Sequence, residues 1–429
     1  MEISILYNYF KECGKVTTDT RKCPEGSMFI ALKGETFNGN AFARQALEKG
    51  CRYAVVDEAE YADAPNIFLV DNCLETLQLL AREHRRALGT PIVGITGTNG
   101  KTTTKELMAT VLQKRYKTLY TQGNLNNHIG VPLTLLNLTE EHEMAVVEMG
   151  ANHPGEIRTL VNIAEPDCGM ITNVGKAHLE GFGSFEGVVK TKSELYDYLR
   201  LKENAFIFLD KDNEVLCQAS VGLESIGYGL EGEDLYVKGK LHACAPFLAF
   251  EWEHEGVIRD VNTHLIGAYN VKNALAAIAI GCRFGVPAEA ICEALNGYIP
   301  SNNRSQLTET EDNHLIVDAY NANPTSMMAA LENFRLMEVQ NKVAVLGDMK
   351  ELGKGSLDEH RKIVSFLQTC GFERTILVGA EFGKANAGFE HYPDVEAVKA
   401  LFAENKPVGK FVLIKGSNSM KLAQLKDIL

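Results

Sequence analysis

The chain has no run of about 18 consecutive apolar residues, which argues against a membrane-spanning helix. Its start, MEISILYNYFKEC, has neither a basic opening nor a small-residue cleavage site, so it does not read as a secretory signal. The ten cysteines include no CxxC pair, which speaks against a zinc knuckle or a disulfide framework and for reduced thiols in the cytoplasm. Excess positive charge is also missing. The formal charge is -13, so no basic face for nucleic acid is expected. A phosphate pocket is not excluded by this, because it needs only a few local donors. No repeat of fixed period and no low-complexity tract is present.

What is present is 429 residues, 45% of them hydrophobic. That length is too great for one ordinary core, so several domains are expected. Three blocks emerge, with boundaries read at 1–89, 90–302 and 303–429. In the first, SMFIAL, RYAVVD and NIFLVD read as strands, 40–49 as a helix, and Leu74 to Leu88 as a charged helix running to a Thr90-Pro91 linker. The second opens on the buried-strand pattern PIVGITG and continues through AVVEMGA and CGMITNVG. From 205 to 266 it shows short strands without long helices, read as an antiparallel insertion or sheet edge, before an apolar helix over Val271 to Phe284. The third alternates helices with HLIVDAY, KVAVLGD, RTILVGA and FVLIKGS, which predicts a parallel doubly wound, Rossmann-like sheet. The fold class is therefore α/β in three domains.

The strongest motif is GITGTNGKT, Gly94 to Thr102, directly after a strand. Glycines let backbone N–H groups curl around phosphates, and the helix beyond offers its positive end. Lys101 can reach outer phosphates and the Thr102 hydroxyl can meet Mg²⁺. The strict P-loop spacing would put glycine where Ile95 stands, and a plain glycine turn is the other reading. Glu148 interrupts an apolar strand, which costs several kcal/mol on the order of magnitude unless the carboxylate is paired or binds a cation. It reads as a Mg²⁺ ligand or as half of a buried salt bridge. His178 follows a strand end, where open α/β sheets bind ligands, but a structural histidine reads equally from the residues. Lys190, Lys192 and Glu194 taken alone read as an exposed, charged helix face. Asn124, Asn126 and Asn127 suit sugar hydroxyls and phosphates, or turns. Asn270 and Asn273 share a helix face and suit a base edge, or a helix start. Arg304 and Asp318 fall near the second domain boundary, a common place for a ligand cleft.

Taken in this order, ITGTNGKTTT, EMGA, AHLEGFGS and GAYNVKNALAA resemble the Mur ligase superfamily over essentially the whole chain. Asp19-Thr20-Arg21 and PEGSMFIALKGETFNGNAF are similar to its uridine-nucleotide-binding domain. VDAYNANPTSM and VLGDMKELG look like the branch that adds D-alanyl-D-alanine, and the DNPR-like motif of the preceding ligase is absent. The resemblance implies a P-loop ATPase core between a UDP-sugar-binding domain and an acceptor-binding domain. It implies that Gly97, Thr98, Asn99, Gly100, Lys101, Thr102 and Thr103 hold ATP, that Glu148 and His178 bind Mg²⁺, and that Lys192 is carbamylated and binds a second Mg²⁺. Asn270 and Asn273 would face adenine, Arg304 the phosphates and Asp318 the ribose. Asp19, Thr20, Arg21, Asn124, Asn126 and Asn127 would serve the UDP-N-acetylmuramoyl-tripeptide, and Tyr320, Asn321 and Asn323 the D-alanyl-D-alanine. A cytoplasmic monomer is expected. The family often carries Asp-Gly-His where this chain has Asn38-Gly39-Asn40, which bears on the first domain's contacts.

Two other classes compete. A P-loop switch or motor would not need the first block or Lys192. A binding-only paralogue should have lost Lys101, Glu148 or His178. Folylpolyglutamate synthase shares the ATPase core but not the first domain.

Overall fold

The computed structural model describes residues 1–244, 246–300 and 306–429. Three separate sheets organise the chain. The first has four parallel strands, Val16–Thr17, Met28–Ile30, Tyr53–Val56 and Ile67–Leu69, side by side in sequence order. Their apolar runs are short because each crosses only one small core. Beside them lies the helix Ile3–Cys13, which buries Leu6 and Phe10, one turn apart on one face. The helix Cys73–Leu88 starts where the Asn72 side chain accepts the Glu75 N–H at 2.8 Å. It ends where Gly89 takes a left-handed φ of 67°.

The central sheet has nine strands. Ile92–Thr96 lies between Met144–Glu148 and Cys168–Ile171, all three parallel and fully buried. Such unbroken apolar runs are what a parallel sheet covered on both faces requires. The reading of 205–266 needs correction. Phe206–Asp210 and Glu224–Gly229 extend the parallel sheet, joined through the six-residue helix Glu214–Ala219. Only Val237–Cys244, Phe247–His254 and Val257–Ile266 form the antiparallel edge. A six-residue helix leaves too little periodicity to reveal the crossover. The helix Asn270–Arg283 lies on one face of this sheet and buries nearly its whole length.

The third sheet places six strands in the order Gln306–Glu309, Asn313–Asp318, Lys410–Lys415, Lys342–Gly347, Arg374–Val378, Glu390–Tyr392. All neighbours are parallel except the first pair. The two edge strands add to the four expected from sequence. They are short and partly exposed, so they carry no apolar run.

One core joins the first sheet to a face of the central sheet. It runs from Leu6, Phe10 and Val55 through Leu77 and Leu80 to Val131, Leu160 and Leu195. The third sheet is filled by two further cores, one around Leu331, Leu346 and Phe382, which Ile266 of the central sheet joins, and one around Val345, Ile376 and Ile414 on the other face.

Candidate active site

The carboxyl ends of the central strands converge on one point. After Ile92–Thr96 the chain turns sharply through Gly97, at φ 141°, and Gly100, at φ 78°, into the helix Lys101–Leu112. Side chains cannot replace these glycines. A Cβ on Gly97 would stand 2.0 Å from the Thr172 hydroxyl, and one on Gly100 would stand 2.7 Å from the Asn273 amide oxygen. The loop is further tied down by Asn173, whose Oδ1 accepts the Asn99 N–H at 3.0 Å. Lys101 folds back over this loop, donating to the carbonyls of Gly97 and Thr98 at 2.8 and 2.9 Å. Thr98, Asn99, Gly100, Lys101 and Thr103 all line the cavity above it.

Glu148 stands at the end of the adjacent strand and is almost wholly buried. Thr102 donates its hydroxyl to this carboxylate at 3.0 Å, and Asn126 donates an amide N–H at 2.8 Å. Lys105 lies 3.9 Å from the same carboxylate, is fully buried, and has its ammonium 5.6 Å from the centre of the Tyr120 ring. Both readings of Glu148 thus have a footing, since it faces the cavity and has a buried cation beside it. Lys105 escaped the sequence reading, although its spacing from Lys101, one turn apart, puts the two on one helix face.

His178 sits at the start of the short turn Leu179–Phe182 in a left-handed conformation, φ 50°. Its Nδ1 meets the carboxylate of Glu351 from the third domain. Burial holds its pKa below the usual histidine range; Glu351 pulls upward, while Lys101 and Lys192 push further down.

The helix Phe185–Arg200 overturns the exposed-face reading of its charges. Lys190 is exposed, but Lys192 and Glu194 are buried with Val188, Leu195 and Leu199. Glu194 receives the backbone N–H groups of Gly155 and Arg158 at 2.9 and 2.8 Å, where a helix begins. Lys192 donates to the Ala151 carbonyl at 3.2 Å and lies 5.4 Å from the centre of the Phe182 ring. Burial holds its pKa well below the usual lysine value and the Lys101 charge adds to this; Glu156 and Glu194 oppose it without reversing it.

The third domain closes the cavity from above. Asp318, Tyr320, Asn321, Thr325 and Lys415 line it, and Lys415 pairs with Asp318. Asn323 does not line it. Its Oδ1 caps the helix Pro324–Leu336 by accepting the Ser326 N–H at 2.9 Å, within a capping box. Its amide also donates to Asn99 Oδ1 at 2.7 Å and accepts from Asn99 Nδ2 at 3.4 Å, so the P-loop and this helix meet through two side-chain amides. Asn270 and Asn273 line the cavity, yet their polar atoms are engaged. Asn273 donates to Asn270 at 2.7 Å and accepts from Thr104 at 3.0 Å, while Asn270 donates to the Ile266 carbonyl at 2.7 Å. Arg304 falls outside the described residues.

The resulting cavity has a volume of about 810 Å³ and draws on all three domains, with Gln78, Asn124, Asn126 and Asn127 also in its lining. Gln78 comes from the first domain and donates to the His128 carbonyl at 3.0 Å.

Residues 13–85 match the model of the Mur ligase family catalytic domain, 95–281 the Mur ligase middle domain, and 303–418 the Mur ligase glutamate ligase domain. The UDP-N-acetylmuramoyl-tripeptide--D-alanyl-D-alanine ligase of Bacillus subtilis (strain 168) is 35% identical, over 96% of this chain and 93% of that protein. The chain belongs to the Mur ligase family. Two solved Mur ligases superpose along its whole length. One is the MurF of Acinetobacter baumannii, with a TM-score of 0.88, 30% identity, and 99% and 97% of the two chains covered. The other is the MurF ligase of Thermotoga maritima in complex with ADP, with a TM-score of 0.86, 28% identity, and 96% of each chain covered.

Within this Mur ligase, Asp19, Thr20 and Arg21 stand apart from the cavity, on the loop after the first strand. The Asp19 carboxylate accepts the Arg21 guanidinium at 2.9 Å, which holds its pKa down at about 2. The arginine side chain is 86% exposed and open to an anionic ligand. Asn38 and Asn40, standing for the family's Asp and His, build a network instead. Buried Asn40 bonds Asn38 and Asp57, each at 2.9 Å, and Lys33 reaches Asp57 and Glu58, each at 2.9 Å. Of the turn residues, Asn126 serves Glu148, and Asn127 accepts the Gly130 N–H at 2.8 Å where the helix Gly130–Leu135 begins.

Proposed function

We propose that this Mur ligase joins D-alanyl-D-alanine to UDP-N-acetylmuramoyl-tripeptide at the expense of ATP, a step of peptidoglycan synthesis. The observation that carries the reading is the single cavity to which all three domains contribute: Gln78 from the first, the P-loop, Glu148 and His178 from the second, and Asp318, Tyr320 and Asn321 from the third. The B. subtilis relative is named for the same activity. A P-loop switch would have no use for the outer two domains.

The donor set fits magnesium ions. The Thr102 hydroxyl and the Glu148 carboxylate are hard oxygen ligands side by side at a phosphate loop, and His178 lines the same cavity as Glu148. Mg²⁺ held by these residues would neutralise phosphate charge. Lys192 fits a second role. Its burial pushes the pKa down and so favours the neutral amine that reaction with CO₂ requires; the N–C bond would form, one proton would be released, and the new carboxylate would hold a second ion.

The tripeptide carboxylate is a poor electrophile. By attacking the ATP γ-phosphorus it becomes an acyl phosphate and ADP leaves. The D-alanyl-D-alanine amine then attacks the carbonyl carbon, and phosphate departs from the tetrahedral intermediate. Two anions must first meet, so the P-loop N–H groups and Lys101, turned from its loop carbonyls toward the phosphates, lower their repulsion. The acyl phosphate must be kept from water, which is the task of the third domain seated over the P-loop. Asp318 would take the ribose, and Asn270 and Asn273, held by Thr104, would form the rigid wall for the base. Tyr320 and Asn321 offer a hydroxyl and an amide to the zwitterionic dipeptide. Asp19, Thr20 and Arg21 would meet the uridine nucleotide, with Asn124, Asn126 and Asn127 nearer the reacting end. We place the domain limits at 1–89, 90–302 and 303–429, and read the enzyme as a cytoplasmic monomer.

Phosphate release with purified tripeptide nucleotide and ATP tests this. Release should require D-alanyl-D-alanine. Equal release without the dipeptide would make the chain an ATPase of another kind.

A further inference from the structure

We propose that Glu351 is a positioning residue that completes a carboxylate–histidine–metal relay only when the third domain is closed. The inference rests on the reading of His178 as a ligand for the catalytic cation.

A histidine that binds a metal through one ring nitrogen needs an acceptor at the other, to fix the tautomer and the ring plane. Among the described residues of the central domain, none accepts from His178 Nδ1. His178 is held in a left-handed backbone conformation, and its ring meets Phe182 edge-on with centroids 6.3 Å apart. The carboxylate on its Nδ1 comes from Glu351, in another domain. The contact is an ion-pair approach, short of hydrogen-bond geometry; a small turn of either side chain would let Nδ1–H donate to the carboxylate and leave the Nε2 lone pair for a cation.

Glu351 is built into place. It has a φ of 63°, a conformation that an ordinary residue adopts only when its surroundings impose it. The preceding residues are pinned. His360 Nε2 accepts the Met349 N–H at 3.1 Å, and its Nδ1 bonds the Ser356 carbonyl at 2.7 Å. Ser417 accepts the Lys350 N–H at 3.0 Å. Across the gap, the Glu351 carbonyl receives the Glu180 N–H at 3.3 Å, and Gly353 packs 3.6 Å from Glu180 as measured at an added Cβ. The loop thus grips both sides of the His178 turn. The Glu351 side chain is half exposed, so its removal should not disturb the fold.

A second ion pair crosses the same interface, Lys176 to Glu359 at 3.1 Å, and provides the control. The test compares Glu351→Ala, Glu351→Gln, Glu359→Gln and His178→Ala in the full chain. Mn²⁺ affinity is read by paramagnetic resonance with a non-hydrolysable ATP analogue bound, alongside kcat. Glu351→Ala should lose 10- to 100-fold in Mn²⁺ affinity and in kcat, the range for removing such a partner. Glu351→Gln, still an acceptor, should recover part of it, and Glu359→Gln should bind Mn²⁺ normally. If Glu351→Ala binds Mn²⁺ like the wild type while His178→Ala does not, the relay is refuted and the ligand reading survives. If His178→Ala binds normally, both fall. An equal loss in Glu359→Gln would reduce Glu351 to one interface contact among several.

Discussion

Replacing Asn323 by serine separates two tasks that one side chain performs. Serine caps helices about as well as asparagine, so the helix Pro324–Leu336 should keep its start, with a change of only a few tenths of a kcal/mol on the usual scale. The amide contact with Asn99 is lost. Of its two hydrogen bonds, the one at 2.7 Å is well formed and the one at 3.4 Å is marginal. At about 0.5–1.5 kcal/mol for a good bond and less for the weak one, the closed arrangement loses about 1–2 kcal/mol. That is roughly a 5- to 30-fold change in the balance between closed and open forms. Steady-state kinetics with each of the three substrates varied in turn, together with thermal melting, should show kcat falling within that range, KM values moving together and Tm nearly unchanged. Asn323→Ala should add a loss of about 1 kcal/mol in stability from the missing cap. A rise in the dipeptide KM alone for Asn323→Ser would refute this account, because it would make Asn323 a contact to the acceptor rather than a clasp between domains.

Lys101→Ala should abolish turnover with little change in Tm, since its partners here are loop carbonyls; near-normal rate with an unchanged Tm would remove the P-loop assignment. Lys192→Ala should be inactive and partly rescued by short carboxylates. For the wild type, the amine must be neutral to take up CO₂, and burial shifts its pKa downward, toward that form. Activity should therefore fall as pH is lowered and be restored by added bicarbonate; a bicarbonate-insensitive profile would count against the carbamate. Arg21→Ala should raise KM for the uridine nucleotide far more than for ATP, and stability should barely change because its ion pair is exposed; equal rises would indicate a fold defect. Asn321→Ala should weaken use of D-alanyl-D-alanine by roughly 1–3 kcal/mol in kcat/KM, leaving ATP KM unchanged; an effect on ATP alone would overturn the acceptor reading.

Buried parallel strands were readable because they are uniform. IVGIT, AVVE and CGMI carry almost nothing but apolar residues, and the one charged residue among them, Glu148, was for that reason conspicuous. The helix Ile3–Cys13 was not readable. ISILYNYF mixes β-branched and aromatic residues, which favour strands locally, and only the burial of Leu6 and Phe10 against the first sheet decides for a helix. Lys192 carried a usable signal that its charge concealed. It stands four residues after Val188 and three before Leu195, on the stripe that faces the core. Glu351 and Asn323 carried none of this kind, because what they do is defined by a surface on a different domain. Asn323 could be read as a cap from the proline that follows it, but not as the partner of Asn99.

The core shared by the first two sheets has a consequence for how the molecule comes apart. Leu6, Leu77, Leu135 and Leu160 belong to one continuous apolar interior, whereas the third sheet's interiors take in, among the described residues, only Ile266 and Phe247 from the central sheet's edge, and it meets the P-loop and the His178 turn through amides, carboxylates and an ion pair. Three sheets therefore amount to two melting units. Denaturant should release the carboxyl-terminal third first or separately, while residues 1–300 unfold in one cooperative step. Native-state hydrogen exchange would reveal it as two plateaus of protection rather than three.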